Sequence, residues 1–274
     1  MQLGDKVYRV KGLFANALAV QTVVHWQETE RELERVLKSI LQCREGVFLD
    51  VGANLGQTMF KILALNPHRE YIGFEPQVAC CFMIQRFLDE NRITNFTILP
   101  VGLSNTDRLT EILSGPTDYG AVASVVDGFR PESFYSSRRY VCLKKGDDVV
   151  AELGVNSVCA IKVDVEGAEL EAFEGLLNTI ARDMPFLLFE VLNHFLVVTA
   201  AKLDDEMLRF RQARIEKLEN LLRQQGYEIF TIHANQLNKI EKIVTVVSDD
   251  LSLTNYFAAP KSGLDKFLKA FHGV

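Results

Sequence analysis

The stretch VFLDVGANLG at positions 47–56 constrains the fold more than any other part of the chain. Its first five residues are apolar except for Asp50, and such a short run is typical of a strand buried on both faces of a parallel sheet. Gly52 and Gly56 close the run, and residues 57–63 then have the composition of a helix. A strand, a glycine turn and a helix let backbone approach a nucleotide-like ligand closely. An ordinary βα turn that needs glycine for its dihedral angles has the same pattern. The rest of the chain therefore has to decide between a ligand-binding turn and an ordinary one.

Further apolar runs extend this unit into a sheet with helices between its strands. Strands are predicted for four later segments, at residues 71–74, 96–101, 158–163 and 185–189. Helices are predicted where apolar residues repeat at helical spacing, at residues 78–88, 170–177, 204–225 and 264–271. The last strands can come from residues 227–232, 243–247 and 255–259. The predicted fold class is therefore α/β, with a mostly parallel sheet and helices on both faces.

The chain outside this first unit predicts a simple domain organisation. Residues 1–45 are predicted to form a mainly helical N-terminal extension beside the sheet, in which Thr29 and Glu32 have the spacing of a capping box. Residues 46–274 form the main domain. Within it, residues 104–157 are broken into short pieces by glycine and proline and include two strands of a hairpin. We predict that this inserted segment lies on the substrate side of the sheet, where insertions often carry selectivity.

Acidic residues follow the ends of the predicted strands. Five carboxylates lie at or just beyond the carboxyl end of a buried strand: Asp50, Glu75, Asp164, Glu166 and Glu190. In an open α/β sheet that edge is the ligand crevice, and a carboxylate there needs a metal, a ligand hydroxyl, an ammonium group or backbone donors. Glu75 also lies about twenty residues beyond the glycines, where a Rossmann-like site binds ribose hydroxyls. Placement at the start of a helix accounts for single members of this set but not for all of them.

The glycine pattern separates two kinds of nucleotide-like ligand. A nicotinamide dinucleotide site reads G-x-G-x-x-G, whereas positions 52–56 read GANLG and lack the middle glycine. Asp50, two residues before the first glycine, would repel a pyrophosphate but attract an ammonium group. S-adenosylmethionine has an ammonium group and a ribose, and it has no phosphate. A nicotinamide-dependent oxidoreductase is therefore the less favoured alternative.

Charge and composition bear on the partners and the compartment. The net charge of −6 offers no global field for a nucleic acid or an anionic membrane. No apolar run is long enough to span a bilayer, and the start of the chain lacks a signal-peptide pattern. The five cysteines are odd in number and contain no C-x-x-C motif, which disfavours a disulfide framework or a zinc site. We expect a reduced, cytoplasmic protein that acts on a small molecule, with a homo-oligomer left open.

Three motifs together resemble the FkbM family of S-adenosylmethionine-dependent methyltransferases: residues 47–56, GFEP at positions 73–76 and IKVDVEGAE at positions 161–169. The resemblance covers roughly residues 45–195, and residues 255–260 resemble the last strand of that family. It implies a Rossmann-like class I methyltransferase with a mostly parallel seven-stranded sheet. It also implies S-adenosylmethionine as cofactor and O-methylation of a hydroxyl on a sugar or a natural product.

The same resemblance implies which residues bind the cofactor. Four residues of the glycine turn would hold its methionine end: Asp50, Gly52, Asn54 and Gly56. Glu75 would bind the ribose. The other positions at the cofactor are Thr58, Pro76, Gly102 and Asp164, with Gly102 beside the adenine.

Catalysis needs a group that orients and deprotonates an acceptor hydroxyl, because a sulfonium methyl is already activated. The candidates are Asp164, Glu166, Glu190 and His194. His194 has a suitable intrinsic pKa, although a lone histidine is more often structural. The three acids could instead ligate Mg²⁺, which would acidify the hydroxyl, and we favour a site without a metal. A non-catalytic module that binds S-adenosylmethionine or a partner on the same fold is the remaining alternative.

Overall fold

The computed structural model of the 274-residue chain describes residues 1–9, 25, 27–28, 30–114, 123–126, 135–192, 194–195, 205–233, 236–244, 246–247 and 251–273. Its strands are β1 (Gln2–Leu3), β2 (Lys6–Val7), β3 (Val47–Val51), β4 (Tyr71–Phe74), β5 (Phe96–Leu99), β6 (Gly102–Ser104), β7 (Arg108–Ser114), β8 (Ser137–Lys145), β9 (Val158–Val163), β10 (Phe186–Glu190), β11 (His194–Phe195), β12 (Tyr227–His233), β13 (Gln236–Ile240), β14 (Val246–Val247) and β15 (Asn255–Pro260).

Helices occupy much of the chain between these strands. They are α1 (Arg31–Cys43), α2 (Gln57–Leu65), α3 (Val78–Asn91), α4 (Gly146–Glu152), α5 (Glu169–Gly175), α6 (Leu177–Asp183), α7 (Asp205–Gln224) and α8 (Lys261–His272), with a short 3-10 helix at Leu251–Thr254. Within the described ranges, no helix has the length and hydropathy of a membrane span.

Eight strands form the central sheet, in the spatial order β5-β4-β3-β9-β10-β15-β12-β13. The first five are parallel neighbours, whereas β15 is antiparallel to both β10 and β12, and β13 is antiparallel to β12 at the edge. The predicted α/β fold with a mostly parallel sheet is therefore confirmed. Its strand at residues 227–232 and its strand at residues 255–259 are also present, as β12 and β15.

The far edge of the sheet differs from the prediction. An eighth strand, β13, pairs with β12, whereas the sequence analysis placed a strand at residues 243–247. Within the described part of that segment, residues 243 and 244 belong to no strand, and residues 246–247 form β14, which pairs with β11 in a separate two-stranded sheet. The sequence of β13, QLNKI, is polar because an edge strand is only partly covered, so its composition conceals it.

Helices cover both faces of the sheet, and each face has its own apolar core. On one face α1, α2, α3 and α8 pack with aromatic residues of the strands, such as Phe48, Phe186 and Phe257. On the other face α4, α5, α6 and α7 pack against aliphatic residues such as Val51 and Ile161. Burial of a large apolar side chain is worth about 1.5–3 kcal/mol, so these two layers hold the strands and their carboxyl ends in register.

The N-terminal residues join the first of these cores. Residues 2–7 form a small antiparallel hairpin, where a mainly helical extension was predicted, and Leu3 is buried against the sheet domain. Helix α1 contributes Val36 and Ile40 to the same core. The predicted capping residue Thr29 lies outside the described residues, and the helix is instead preceded by Glu30, whose backbone is left-handed at φ 42°. Leu3 and α1 therefore pack on the sheet domain, and the predicted division of the chain at residue 45 stays a prediction.

The segment predicted as an insertion contains a second, small sheet in the order β6-β8-β7. Its antiparallel β7–β8 pair matches the hairpin expected within residues 104–157. Strand β6 pairs in parallel with β8 and begins at Gly102, three positions after β5 ends, so the small sheet starts close to the carboxyl edge of the central sheet. Residues 115–122 and 127–134 of this segment lie outside the described residues.

Candidate functional site

The carboxyl ends of β3, β4, β9 and β10 bring the predicted acidic residues to one edge of the sheet. Asp50 lies in β3 directly opposite Lys162 of β9 and Gly73 of β4. Glu75 follows β4, and Asp164 follows β9. Because these strands are adjacent and parallel, residues that are far apart in sequence share one crevice.

The glycine turn after β3 is closed tightly over its neighbours. Gly52 has a left-handed backbone at φ 91°, and its N–H donates to the carbonyl of Phe74 at 2.8 Å. A Cβ at this position would lie only 1.9 Å from the carbonyl oxygen of Asp164. Asn54 and Gly56 are also left-handed, at φ 47° and φ 89°, and Gly56 directly precedes α2. The close approach that Gly52 allows in the structure is to the backbone of Asp164, and the predicted approach of this turn to a ligand stays a prediction.

Asp50 is fully buried and only half satisfied. The hydroxyl of Tyr71 donates to its Oδ2 at 2.5 Å, whereas no donor among the described residues reaches its Oδ1. Burial raises the pKa of Asp50 to about 6, although Lys162 and the Tyr71 hydrogen bond act in the opposite direction. Because the pKa of Asp50 is higher in the folded protein than in the unfolded chain, the ionised carboxylate destabilises the ligand-free fold, and this cost is complete once the pH exceeds about 6. The Oδ1 atom therefore fits a cationic donor such as an ammonium group.

Glu75 joins the two segments that flank β4. Its Oε2 accepts from the backbone N–H of Asn54 at 2.9 Å, and its Oε1 accepts from the backbone N–H of Gln77 at 2.9 Å. Burial raises the pKa of Glu75 to about 7, with the two backbone hydrogen bonds acting against it. A carboxylate has about four lone-pair sites, so Glu75 can still accept from a ribose hydroxyl at the same time.

The charge of Glu75 is expected to matter for the cofactor. Glu75→Gln should weaken S-adenosylmethionine binding by about 1–3 kcal/mol, because charge-assisted hydrogen bonds to the ribose are lost. In the unchanged protein the affinity should rise as the pH passes through about 7, where the Glu75 carboxyl ionises, and this step should be missing from the variant. Calorimetry between pH 5.5 and about 7.5 measures both effects while the α-ammonium of the ligand stays protonated.

A matched control for this variant is Glu70→Gln, which removes an exposed carboxylate immediately before β4. Its affinity and pH profile should equal those of the unchanged protein. Normal binding by Glu75→Gln, with the pH step retained, would mean that Glu75 has only the structural role of joining the turn to Gln77.

The remaining predicted cofactor positions lie close to this turn. Thr58 is buried at the second residue of α2. Gly102 begins β6, and a Cβ there would lie 2.6 Å from a methyl carbon of Leu143 and 3.6 Å from the ring of Pro76. Gly102, which was predicted beside the adenine, therefore lies next to Pro76, and a side chain at Gly102 would collide with Leu143.

Three of the predicted catalytic residues form a cluster. Asp164, Glu166 and Glu190 each offer a carboxylate oxygen, and these oxygens all lie within 4.8 Å of one another. Thr254 donates to Glu190 at 2.8 Å, and burial together with the neighbouring acids raises the pKa of Glu190 well above its usual value. Glu166 has a left-handed backbone at φ 55°. Such a cluster can share protons with a hydroxyl, or it can hold a divalent cation.

The fourth predicted catalytic residue is not brought into this cluster by any described contact. His194 belongs to the two-residue strand β11, which pairs in parallel with β14. The side chain of His194 lies outside what the structure describes, and its catalytic role stays a prediction.

Glu169 holds the loop that carries the cluster, a role that the sequence analysis did not assign. Its Oε1 accepts from the backbone N–H groups of Val165 at 3.3 Å and Gly167 at 3.0 Å. Arg214 of α7 donates to the carbonyl of Gly167 at 2.8 Å. Burial raises the pKa of Glu169 to about 7. The sequence signal was a carboxylate two positions after a glycine, which also suits an ordinary helix start.

Lys162 is a second residue whose role the sequence analysis missed. It is 3% exposed, and its ammonium lies 2.8 Å from Asp164 Oδ2 and 3.4 Å from Glu30 Oε1. Burial opposes its charging, but Asp164, Glu30 and Asp50 outweigh burial and hold the pKa of Lys162 well above its usual value. A lysine within an otherwise apolar strand is the signal that could have identified it, because a buried lysine needs carboxylate partners.

The sequence of this chain matches a family model described as the methyltransferase FkbM domain, over residues 50–229. Among curated proteins it is similar to the AMB antimetabolite synthetase AmbE of Pseudomonas aeruginosa, with 23% identity over 243 residues that cover 74% of this chain and 11% of the synthetase. The chain thus spans only a small part of that relative.

Solved structures with similar folds include a methyltransferase FkbM from Methylobacillus flagellatus KT, at 17% identity and a TM-score of 0.49, covering 78% of this chain and 43% of that one. Another is the O-methyltransferase TomG from Streptomyces achromogenes, which is involved in tomaymycin synthesis and was solved with S-adenosylmethionine. It is 11% identical, has a TM-score of 0.46, and the alignment covers 92% of this chain and 91% of TomG.

Proposed function

This chain belongs to the FkbM family of methyltransferases, and we propose that it is an S-adenosylmethionine-dependent O-methyltransferase that acts on a hydroxyl group of a small molecule. The proposed acceptor is a sugar or a natural product. One observation carries the proposal: a buried and half-satisfied Asp50 in β3 lies at the same sheet edge as a cluster of three carboxylates that follow β9 and end β10. The first feature suits the ammonium group of the donor, and the second suits the proton of an oxygen acceptor.

The residues around the turn would bind the donor. The free Oδ1 of Asp50 would accept from the ammonium group, and Glu75 would accept from the ribose hydroxyls while it keeps its backbone hydrogen bonds. Pro76 and Gly102 would flank the adenine. When bound, S-adenosylmethionine supplies a methyl group on a sulfonium that needs no further activation.

The carboxylate cluster would handle the acceptor. Burial and the neighbouring acids raise the pKa of Glu190 well above its usual value and so favour its protonated form, which would donate a hydrogen bond to the acceptor oxygen. The ammonium of Lys162 pairs with Oδ2 of Asp164, and Oδ1 of Asp164 would face the acceptor. Asp164 or Glu166 would then accept the hydroxyl proton as the oxygen attacks.

A divalent cation in the cluster is the second candidate mechanism. Carboxylate oxygens within 4.8 Å of one another can bind Mg²⁺, and a bound cation would lower the pKa of a coordinated hydroxyl. We keep the mechanism without a metal as the first candidate, because Lys162 already supplies a positive charge to Asp164.

A small uncharged acceptor is supported by charge and by similarity. The net charge of −6 and the acidic edge disfavour a polyanionic acceptor such as a nucleic acid. One similar protein, of which this chain spans 11%, is named an antimetabolite synthetase, and that name supports a small-molecule acceptor.

Calorimetry and a turnover screen test this function. We expect S-adenosylmethionine or S-adenosylhomocysteine to bind at micromolar strength, and NAD to give no heat. Transfer of a labelled methyl group to members of a panel of hydroxylated sugars and natural products should then identify an acceptor. Binding of NAD without either adenosyl ligand would support an oxidoreductase instead. Cofactor binding without turnover on any acceptor would favour a non-catalytic module.

A further inference from the structure

The buried lysine of β9 connects the cofactor edge to a residue that lies outside the family match. Lys162 forms ion pairs with Asp164 and with Glu30, and Glu30 precedes α1, twenty positions before the matched residues 50–229 begin. Asp50 lies opposite Lys162 in the sheet register and is electrostatically coupled to it. Two carboxylates therefore pair with one ammonium group, and a third, Asp50, interacts with it electrostatically from the adjacent strand.

The position of Glu30 is determined by the packing of α1. The helix buries Leu33, Val36 and Leu37 against the sheet domain, and Asn255 of β15 donates to Glu32 at 2.9 Å. Glu30 thereby points its carboxylate to Lys162 although its backbone is left-handed, a conformation that costs a residue with a side chain about 1–2 kcal/mol. A surface acid with no role would not need this backbone.

The charged residues around Lys162 carry more negative than positive charge. Asp50, Glu30 and Asp164 interact with Lys162, and the other buried lysine that acts on Glu30 is Lys61 of α2. Glu75, also buried, adds a further carboxylate coupled to Asp50. Asp50 and Glu75 are buried, and Glu30 and Asp164 are half-buried. Such carboxylates without sufficient counter-charge favour a cationic ligand, because their field is only partly screened.

We propose that Glu30 is a specificity-determining residue of the cofactor site, which makes the site prefer cationic S-adenosylmethionine to neutral S-adenosylhomocysteine. This inference rests on the proposed cofactor. The two compounds share the adenosyl, ammonium and carboxylate groups, and they differ in the methyl group and in the positive charge of the sulfonium. A carboxylate near the cofactor edge therefore attracts the positive sulfonium of S-adenosylmethionine, an interaction that S-adenosylhomocysteine lacks. The carboxylate thereby favours binding of the donor and release of the product.

Comparison of the two affinities tests the inference without any assay of methyl transfer. By calorimetry, the unchanged protein should bind S-adenosylmethionine more tightly than S-adenosylhomocysteine. Glu30→Gln should reduce this preference by about 10-fold, mainly by weakening the cationic ligand, as expected when one charge is removed at several ångströms in a medium of intermediate dielectric. Glu30→Asp keeps the charge and should retain most of the preference.

The matched control is Glu28→Gln, which removes the same charge from an exposed position two residues earlier. Its affinity ratio should equal that of the unchanged protein, and the melting temperature of every variant shows whether it is folded. An unchanged ratio in Glu30→Gln, including an equal loss of both ligands, would overturn the inference and make Glu30 a structural residue. Tighter binding of S-adenosylhomocysteine by the unchanged protein would overturn it without any variant. Failure of both ligands to bind would instead count against the proposed cofactor.

Discussion

Gly52→Ala is expected to destabilise the protein by about 3–5 kcal/mol, which places it among the most damaging single substitutions. The left-handed backbone at φ 91° disfavours alanine, and the new Cβ would lie 1.9 Å from the carbonyl oxygen of Asp164. That oxygen belongs to backbone, so either the turn or the end of β9 has to move. A movement of this kind separates Asp50 from its partners, and we expect S-adenosylmethionine binding to fall at least about 100-fold.

Gly154→Ala is the matched control for this substitution. Gly154 also has a left-handed backbone, at φ 66°, but a Cβ there would have no heavy atom within 4 Å. Gly154→Ala should therefore lower the free energy of unfolding only by the cost of alanine in a left-handed backbone, about 1 kcal/mol, and it should bind the cofactor normally. Thermal unfolding and calorimetry of the two variants separate backbone strain from the contact with Asp164. Equal melting temperatures for both would show that the close contact does not constrain the turn.

The glycine turn and its acids could be predicted from sequence because their signals are local. A strand that is apolar on both faces, a glycine two residues after an acid, and Glu75 directly after the next strand are each visible within a few positions. The topology of a parallel sheet then brings residues after separate strands to one edge. Local pattern and general topology were therefore sufficient for the fold class and for the proximity of Asp164 to Glu190.

The charge network around Lys162 could not be predicted in the same way. Its partner Glu30 directly precedes α1, a helix that was assigned to a separate extension, and the packing of α1 onto the sheet brings Glu30 and Lys162 together. Strand β13 was missed for a related reason, because a polar edge strand takes its stability from its neighbour β12 and not from its own composition. Tertiary contacts determined both features.

The cluster of Asp164, Glu166 and Glu190 is expected to determine turnover. Once an acceptor is identified, Glu166→Gln and Asp164→Asn should lower kcat by about 10²–10⁴-fold, the usual contribution of a general base. The cofactor should stay bound in Glu166→Gln, whereas Asp164→Asn changes a residue that is also predicted to lie at the cofactor. Glu166→Gln should leave the melting temperature close to that of the unchanged protein. Asp164→Asn should also lower stability, because it leaves Lys162 with fewer partners for a buried charge.

Asp205→Asn is the control for these variants, since it removes an exposed carboxylate in the first turn of α7. Measurements of kcat, KM, cofactor affinity and melting temperature on all three variants distinguish catalysis from folding. If Asp164 and Glu166 only shape the loop before α5, the variants should lose stability, and the folded fraction should turn over normally. Full activity in both would remove the cluster from the mechanism and leave His194 and residues 104–157 as the places to look.

A chelator titration on the unchanged protein decides between the two mechanisms for this cluster. Oxygens within 4.8 Å of one another can bind Mg²⁺, and in that case a chelator should abolish turnover and added Mg²⁺ should restore it. If a carboxylate is the base, turnover should be indifferent to the chelator and should fall as the pH is lowered through the pKa of that base. A metal mechanism would also change how the variants respond to added Mg²⁺. Loss of any one ligand would weaken metal binding, so excess Mg²⁺ should partly rescue Glu166→Gln, whereas no cation can replace a missing base.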